Sequence, residues 1–298
     1  MELRHIRYFL AVAEERNVTR AASKLGIGQP PLSQQIHSLE DELGIQLFRR
    51  TAHGVVLTEA GESFLIDAKR LLEDSRRAVQ KAQRAGRGET GHLNIGFTGS
   101  AAFNPVVPTL IRRFRQSYPS VGLTLEEANT SRSLEDLEDG RLDLAFVRPG
   151  TQAPAGVAFH HLSDESMKIV LPVAHRRSSR RRVPIGELAQ ESFVLFPRMA
   201  GPTLYDEIVN ACREAGFEPR LGQEAPQISS VINLIAAEFG ISIVPSAIAQ
   251  VCVGGVVYVD IQGKALKARL AIASRAGDRS SKIANFLAIV KNERSSPL

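Results

Sequence analysis

Apolar side chains between residues 1 and 45 recur every three or four positions, which is the period of a helix that buries one face. The pattern predicts three helices, of which the second is capped by Thr19 and the third begins at Gln29. A Gly26-Ile27-Gly28 turn separates these two helices, and Gly44 marks the end of the third. Two short helices joined by a glycine-containing turn predict a helix-turn-helix.

Polar side chains cluster near the start of the third predicted helix, where they can reach base edges in the major groove of DNA. Residues 48–58 then predict a two-stranded wing that turns at His53-Gly54, and its two arginines can lie against the phosphate backbone or the minor groove. The alternative is a small helical bundle whose polar faces are only solvated. The candidate DNA-binding residues are Thr19, Gln29, Pro30, Pro31, Ser33, Gln34, His37, Arg49, Arg50 and His53.

A long helix is predicted from Thr58, which can act as its N-cap, to about Arg84. It lies between the helix-turn-helix and the glycine-rich segment 85–91, so it has little of its own chain to pack on. We therefore expect it to dimerise, whereas the alternative is an amphipathic helix packed within one chain. The small and apolar residues that form its heptad seam are Phe64, Ala68, Leu71, Ser75, Ala78, Ala82 and Ala85.

Residues 91–298 alternate between strand-like and helix-like segments. Up to residue 147 the order is strand–helix–strand–helix–strand, and the short connections predict a parallel sheet with helices on its faces. Ligands of such sheets bind beyond the carboxyl ends of the strands, where helix N-termini offer unpaired amides. Because hydroxyl, amide and guanidinium side chains follow several of these strand ends, we expect a cleft for a small anion.

Composition and charge narrow this interpretation only slightly. The chain has 298 residues, is 43% hydrophobic and carries a formal net charge of +5, which permits a polyanionic partner. Residues 1–57 hold seven Lys and Arg against six acidic residues, so placement rather than net charge supports DNA binding there. Charges interrupt the apolar residues at the start of the chain, unlike in a signal peptide, and no long apolar run occurs. We therefore expect a cytoplasmic protein with no membrane partner.

Motifs for catalysis or metal binding are missing from the sequence. It contains no Gly-x-Ser-x-Gly elbow, no phosphate-binding glycine loop and no His-Glu-x-x-His, and Cys212 and Cys252 belong to no Cys/His cluster. We therefore expect no catalytic residue, metal or cofactor. The basic stretch 175–182 permits contact with nucleic acid, but its distance in sequence from the predicted DNA-binding helix favours a solvated loop.

Five segments of the N-terminal region are AASKL at 21–25, QPPLSQQI at 29–36, LEDELG at 39–44, LFRR at 47–50 and LTEAG at 57–61. In order and spacing they resemble the LysR-type transcriptional regulator family, and the later strand–helix alternation resembles the effector domain of that family. Gly28, Gln34 and His53 depart from the Ser, Arg and Arg that members of the family often carry, and these departures bear on base preference.

The resemblance implies an all-α winged helix-turn-helix over residues 1–57 and a linker and dimerisation helix over 58–88. It implies that residues 91–298 form an α/β effector domain like the periplasmic binding proteins. Subdomain I would cover about 91–161 and 268–298, and subdomain II about 162–267. The chain would cross between them near His161-Leu162 and Lys267-Ala268.

The resemblance also implies a regulator that binds promoter dyads as a dimer or tetramer and senses a small organic anion, such as an aromatic or other small carboxylate. RNA polymerase is a further candidate partner. Two other classes stay open from the residues alone, a solute-binding protein and a small-molecule enzyme on an α/β sheet.

Seven residues are candidates for effector binding. We expect Arg148 to supply a full positive charge, and Phe196, Pro197 and Met199 to form an apolar wall. The hydroxyl-bearing candidates can instead serve only as helix caps. The full set is Ser100, Thr130, Arg148, Phe196, Pro197, Met199 and Ser229.

Overall fold

The computed structural model describes residues 1–150, 153–250 and 252–295 of the chain. The chain divides into two compact units, Met1–Arg84 and Ala85–Leu298, and the division falls at the start of the glycine-rich segment. Among the described residues, no helix combines the length and the apolar character that a bilayer crossing requires.

The first unit packs its helices and hairpin around Phe9, which is fully buried. The centroid of the Phe9 ring lies 5.2 Å from that of Phe48 and 5.0 Å from that of Phe64, so the first helix, the hairpin and the long helix share one core. The elements are α1 (Leu3–Glu15), α2 (Val18–Leu25), α3 (Gln29–Leu43), β1 (Phe48–Thr51), β2 (Gly54–Leu57) and α4 (Glu59–Gly86).

The helix starts follow from local side-chain chemistry. The backbone N–H of Arg20 donates to Oδ1 of Asn17 at 3.1 Å, so Asn17 is the N-cap of α2. The prediction that Thr19 caps this helix was wrong. Both residue types are good caps and they stand two positions apart, so the sequence offered two candidates. Thr58 caps α4 as predicted, because its hydroxyl accepts from the N–H of Gly61 at 3.0 Å.

The second unit is α/β and begins with the predicted strand–helix alternation. The first predicted helix of this alternation, which follows β3, is instead two helices, separated at residues 103–105. The elements are β3 (Gly91–Phe97), α5 (Gly99–Ala102), α6 (Val106–Ser117), β4 (Val121–Glu127), α7 (Thr130–Glu138), β5 (Leu144–Val147), β6 (Val157–Pro172), β7 (Arg182–Pro184), β8 (Ser192–Leu195), α8 (Pro202–Glu214), β9 (Arg220–Glu224), α9 (Ile228–Ala236), β10 (Ser242–Pro245), β11 (Val256–Gln262), β12 (Lys267–Arg275) and α10 (Ser281–Ser295), with 3₁₀ turns at Ile185–Leu188, Arg198–Ala200 and Ser246–Gln250.

The main sheet is mixed rather than parallel. Its order is β4-β3-β5-β12-β6-β11-β7, with β10 also paired to β6, while β8 and β9 form a separate parallel pair. As predicted, β3 lies parallel to β4 and β5. However, β12 runs antiparallel to both β5 and β6. Side-chain alternation locates strands but not the direction of their neighbours, which explains the difference.

Strand β6 connects two hydrophobic cores in one continuous run of 16 residues. It pairs with β12 as far as Ser166 opposite Lys267, and beyond that point residues 167–170 pair with β10 and residues 168–172 pair with β11. The strand therefore continues through His161-Leu162, although the register with β12 shifts there and leaves Leu162 without a partner, and its partner strand changes five residues later than the predicted crossover. In sequence, side-chain alternation predicts only a strand over residues 168–172 here, because the middle of β6 is polar and lies between the two cores.

Candidate functional site

The start of α3 presents polar side chains to solvent. Gly28 is its N-cap and offers no side-chain hydrogen bond, while Gln34 and His37 are exposed. Nε2 of Gln29 donates to Oγ of Ser33 at 2.9 Å, which fixes the pair against each other. Pro30 and Pro31 are also exposed in this first turn, and Thr19 is exposed on α2. The helix thus leaves a polar surface uncovered within the first unit.

Glu40 connects α3 to the wing through hydrogen bonds, a role that was not predicted from the sequence. Its side chain is 3% exposed, and its Oε1 accepts from the N–H groups of Leu47 at 2.7 Å and Phe48 at 3.0 Å. Its second oxygen lies 3.6 Å from Nδ1 of His37. An acidic residue next to the inward Leu39 was the available signal. By holding the first strand of the wing, Glu40 sets the position of the wing relative to α3.

The wing carries two cations that are free to meet an external anion. Arg49 and Arg50 are exposed, and neither side chain has an ion-pair partner in the part of the chain that the structure describes. His53 is exposed at the turn. Gly54 approaches the main chain of Arg16 so closely that a Cβ would stand 2.3 Å from its carbonyl oxygen, at a φ of 138°. Glycine is therefore required where the wing packs on the end of α1.

Beyond Ala68, the seam of α4 is largely uncovered within the single chain. Leu71 is 43% exposed, and Ala78, Ala82 and Ala85 are exposed as well. The residues nearer the start of the helix contribute to the core of the first unit instead. A row of small and apolar side chains is thus available to a second helix.

The second unit contains a cleft of about 190 Å³ into which three helices longer than two turns begin, besides the short α5. Asn129 and Thr130 line it at the start of α7, Gly201 at the start of α8, and Gln227 and Ile228 at the start of α9. The first amides of a helix have no intrahelical partner, and the aligned peptide dipoles make each start positive. Three such ends on one cleft favour a ligand that carries negative charge.

At the start of α7, side-chain capping leaves donors available to the cleft. Oδ1 of Asn129 accepts from the N–H of Arg132 at 2.8 Å, and the N–H of Ser133 donates to the Asn129 carbonyl. Within the described residues, no protein group pairs with the N–H of Thr130 or with its hydroxyl. Thr130 is 8% exposed and lines the cleft, so its hydroxyl, which has no protein partner among the described residues, is available to a ligand there.

Arg148 lines the cleft, but its charge is already neutralised. It is 3% exposed, and its Nη2 donates to Oε2 of Glu165 at 2.8 Å. Its other donors reach the hydroxyl and carbonyl oxygens of Ser100 and the carbonyls of Ala268 and Arg269. Burial lowers the pKa of the guanidinium, while the Glu165 carboxylate opposes that shift. The sequence led us to expect that Arg148 offers a full charge to a ligand, whereas the structure pairs that charge with Glu165.

Glu165 completes a buried polar network beside the cleft. It lies on β6 and also accepts from Nδ2 of Asn104 at 3.1 Å and from the N–H of Ala247. The network thus joins residues of α5 and the following turn, the end of β5, strand β6 and the 3₁₀ turn after β10. A buried ion pair of this kind is stable only when its remaining donors and acceptors are also satisfied.

The structure brings together four of the seven predicted effector residues: Ser100, Thr130, Arg148 and Phe196 line the cleft. Ser229 is exposed and does not line it, because the first residue of α9 turns inward and the second outward. Met199 is 71% exposed on a 3₁₀ turn, and Pro197 is half-buried outside the lining.

Two further lining residues, Glu127 and Gln227, were not predicted from the sequence, because an exposed polar side chain gives no periodic signal. No group of three or more His, Cys, Asp or Glu within the described ranges is arranged to hold a metal ion. The basic stretch 175–182 is neutralised in part, since Arg176, Arg177 and Arg180 pair with Glu187 and Glu191.

Comparison with known proteins agrees with both halves of this arrangement. Residues 3–62 match the family model of the bacterial regulatory helix-turn-helix protein, lysR family, and residues 86–295 match the LysR substrate binding domain. The HTH-type transcriptional regulator BudR of Raoultella terrigena is 41% identical over 287 residues, which are 96% of this chain and 99% of BudR. AlsR of Bacillus subtilis (strain 168) is 38% identical, over 97% of this chain and 95% of its own.

Solved structures show the same architecture. The crystal structure of CbnR, a LysR family transcriptional regulator, superposes with a TM-score of 0.84 at 29% identity, covering 97% of this chain and 100% of CbnR. Full-length CbnR complexed with its target DNA gives 0.83 at 28% identity, covering 98% and 99%. The chain therefore belongs to the LysR family: it is a DNA-binding transcriptional regulator with an effector-binding domain, and not an enzyme.

Proposed function

We propose that this regulator binds a promoter dyad through α3 and the wing, and that a small organic anion in the cleft changes how the bound oligomer holds DNA. The ligand half of the proposal is that an anion binds in the cleft. It rests on the convergence of three helix N-termini and the unpartnered Thr130 hydroxyl on one small cleft. A carboxylate placed there accepts hydrogen bonds from amides at the starts of α7 and α9 that otherwise lack a partner. The start of α8 contributes mainly its dipole, because its first residue is Pro202 and the N–H of Gly201 already donates to the Arg198 carbonyl. The aromatic ring of Phe196 adds an apolar wall.

The DNA half rests on the uncovered polar surface at the start of α3 and on the free arginines of the wing. Side chains such as Gln34 and Ser33 are suited to base edges, while Arg49 and Arg50 are suited to phosphates. Base contacts set sequence preference, whereas phosphate contacts set affinity for any duplex. The two groups therefore have different roles, and substitutions at them have separable effects.

Dimerisation through α4 supplies the two-fold symmetry of a dyad, with half-sites about one helical turn apart. We expect Leu71→Glu combined with Ala78→Glu to release monomers, because it places like charges along the exposed part of the seam. Gln80→Glu, on the opposite face of α4, is the matched control and keeps the oligomer. Sedimentation velocity measures both. An unchanged oligomer in the double variant would place the dimer contact elsewhere.

The experiment that tests the proposed function is fluorescence anisotropy of the full-length protein on the DNA that flanks its own gene, with and without small carboxylates. The expected result is binding that is specific over random duplex and that a carboxylate shifts by about 1–3 kcal/mol, the usual scale of coupling between sites. Equal binding to random DNA would contradict the DNA half. Specific binding that benzoate, 3-hydroxybenzoate, propanoate and lactate all leave unchanged would contradict the ligand half.

A further inference from the structure

The cleft contains a carboxylate that no described residue neutralises. Glu127, the last residue of β4, lines the cleft and is exposed, with no ion pair or hydrogen bond to its side chain in the described part of the chain. It lies over Gly99, where an added Cβ would stand 2.8 Å from its Oε1. A glycine at that position therefore leaves the room that the carboxylate occupies.

The side chains that line the cleft leave one negative charge uncompensated, because Arg148 is paired with a residue outside the lining. The charge of Arg148 is compensated by Glu165, which does not line the cleft. Glu127 is therefore the unneutralised charge among the lining side chains. The starts of α7, α8 and α9 carry the partial positive charge of the helix dipole but no full charge. A ligand with only a carboxylate would be attracted by the helix starts and repelled by Glu127.

We propose, on the basis of the proposed function, that Glu127 is a specificity-determining residue and that the ligand carries a hydrogen-bond donor in addition to its carboxylate. An ionised carboxylate is only an acceptor, so Glu127 can be satisfied by a hydroxyl or an amino group of the ligand. The natural ligand class is then a small hydroxy acid or amino acid rather than a plain carboxylic acid. A site built to hydrogen-bond such a group rejects the analogue that lacks it much more strongly than an apolar site does.

The test is isothermal titration calorimetry of the full-length protein with two matched pairs of acids, propanoate with lactate and benzoate with 3-hydroxybenzoate. We expect the hydroxylated acid of at least one pair to bind the wild type at least about tenfold more tightly, the scale of a hydrogen bond to a charged group. In Glu127→Ala this ratio falls to within about threefold, mainly because the plain acid gains affinity as the repulsion is removed.

Two further variants separate the possible causes. Glu127→Gln keeps an acceptor without the charge, so it retains part of the preference for the hydroxyl while the plain acid still gains affinity. Glu126→Ala removes the neighbouring carboxylate, which does not line the cleft, and leaves every affinity unchanged.

Two outcomes overturn the inference while leaving the proposed function standing. In the first, plain and hydroxylated acids bind the wild type equally well. In the second, the preference survives in Glu127→Ala. Failure of all four acids to bind the wild type and every variant contradicts the inference together with the ligand half of the proposed function.

Discussion

Arginines in the two units differ in whether their charge is available to an external anion. Arg49 and Arg50 on the wing are exposed and unpaired within the described residues, whereas Arg148 at the cleft is buried and bonded to Glu165. An exposed guanidinium can exchange its counterions for phosphates, which gives affinity for any duplex. A guanidinium that is already paired cannot offer its charge to a ligand without leaving a buried carboxylate uncompensated.

Residue type alone therefore does not identify an anion site. The cleft has one arginine in its lining, yet the donors proposed here for an anion are backbone amides at the helix starts and the Thr130 hydroxyl rather than that guanidinium. The wing supplies full charges, while the cleft supplies oriented dipoles. Substitutions at the cleft and on the DNA-binding surface test this difference separately.

The largest effect is expected at Arg148. Arg148→Met leaves the buried Glu165 without its cation, and breaking such a pair by removing one partner costs about 3–5 kcal/mol of unfolding free energy. Urea denaturation of the full chain, followed by circular dichroism, measures the loss. The double variant Arg148→Met with Glu165→Leu removes both charges and regains part of the stability, because Asn104 and the N–H of Ala247 lose the acceptor that Glu165 provides.

A result in which Arg148→Met keeps wild-type stability but loses carboxylate affinity would contradict this structural role for the ion pair. It would return Arg148 to the role of a ligand-binding charge. The double variant also discriminates, because a ligand-binding arginine cannot be rescued by removing Glu165.

A smaller effect is expected on the base-contacting surface of α3. Gln34→Ala should lower the preference for the target over random DNA by about 1–3 kcal/mol if the side chain contacts a base directly. Affinity for random duplex should stay nearly constant, since no phosphate contact is lost. Ser38→Ala, exposed on the same helix but farther from its start, is the control. Equal losses on target and random DNA in Gln34→Ala would show that Gln34 does not specify bases.

The smallest effect is expected for a single wing arginine. Arg50→Ala should weaken binding to target and random DNA alike and reduce the slope of log K against log salt by about 0.9, the value of one phosphate contact. Arg180→Ala in the second unit, whose guanidinium pairs with Glu187, should leave the slope unchanged. Anisotropy titrations at several salt concentrations measure both. A loss restricted to the target sequence would instead make Arg50 a base-contacting residue.

The sequence was sufficient where the evidence is local or periodic. The glycines around α3, the cap at Thr58 and the alternation of β3, β4 and β5 each predict an element that the structure contains. The carboxyl ends of the parallel strands likewise led to Ser100 and Thr130, which line the cleft. In all of these cases a few neighbouring residues determine the conformation.

The sequence was insufficient where partners are distant along the chain. Glu165 pairs with Arg148 from another strand, and its residue type gives no sign of that pairing. The pairing of β12 between β5 and β6 likewise depends on strands more than 100 residues apart. Ser229 illustrates a third reason: a shift of one position at a helix start turns a side chain away from the cleft.

The most direct test of the contrast is the carboxylate affinity of Thr130→Val beside that of Ser131→Ala. The first variant removes the unpartnered hydroxyl in the cleft at nearly constant size, and the second removes the neighbouring hydroxyl that does not line it. For whichever of the four acids binds the wild type most tightly, Thr130→Val should lose about 1.5–3 kcal/mol of binding free energy, as expected for a hydrogen bond to a charged group. Ser131→Ala should lose none, and DNA affinity should be unchanged in both variants. Full carboxylate affinity in Thr130→Val would show that the anion is not bound by the helix starts of this cleft.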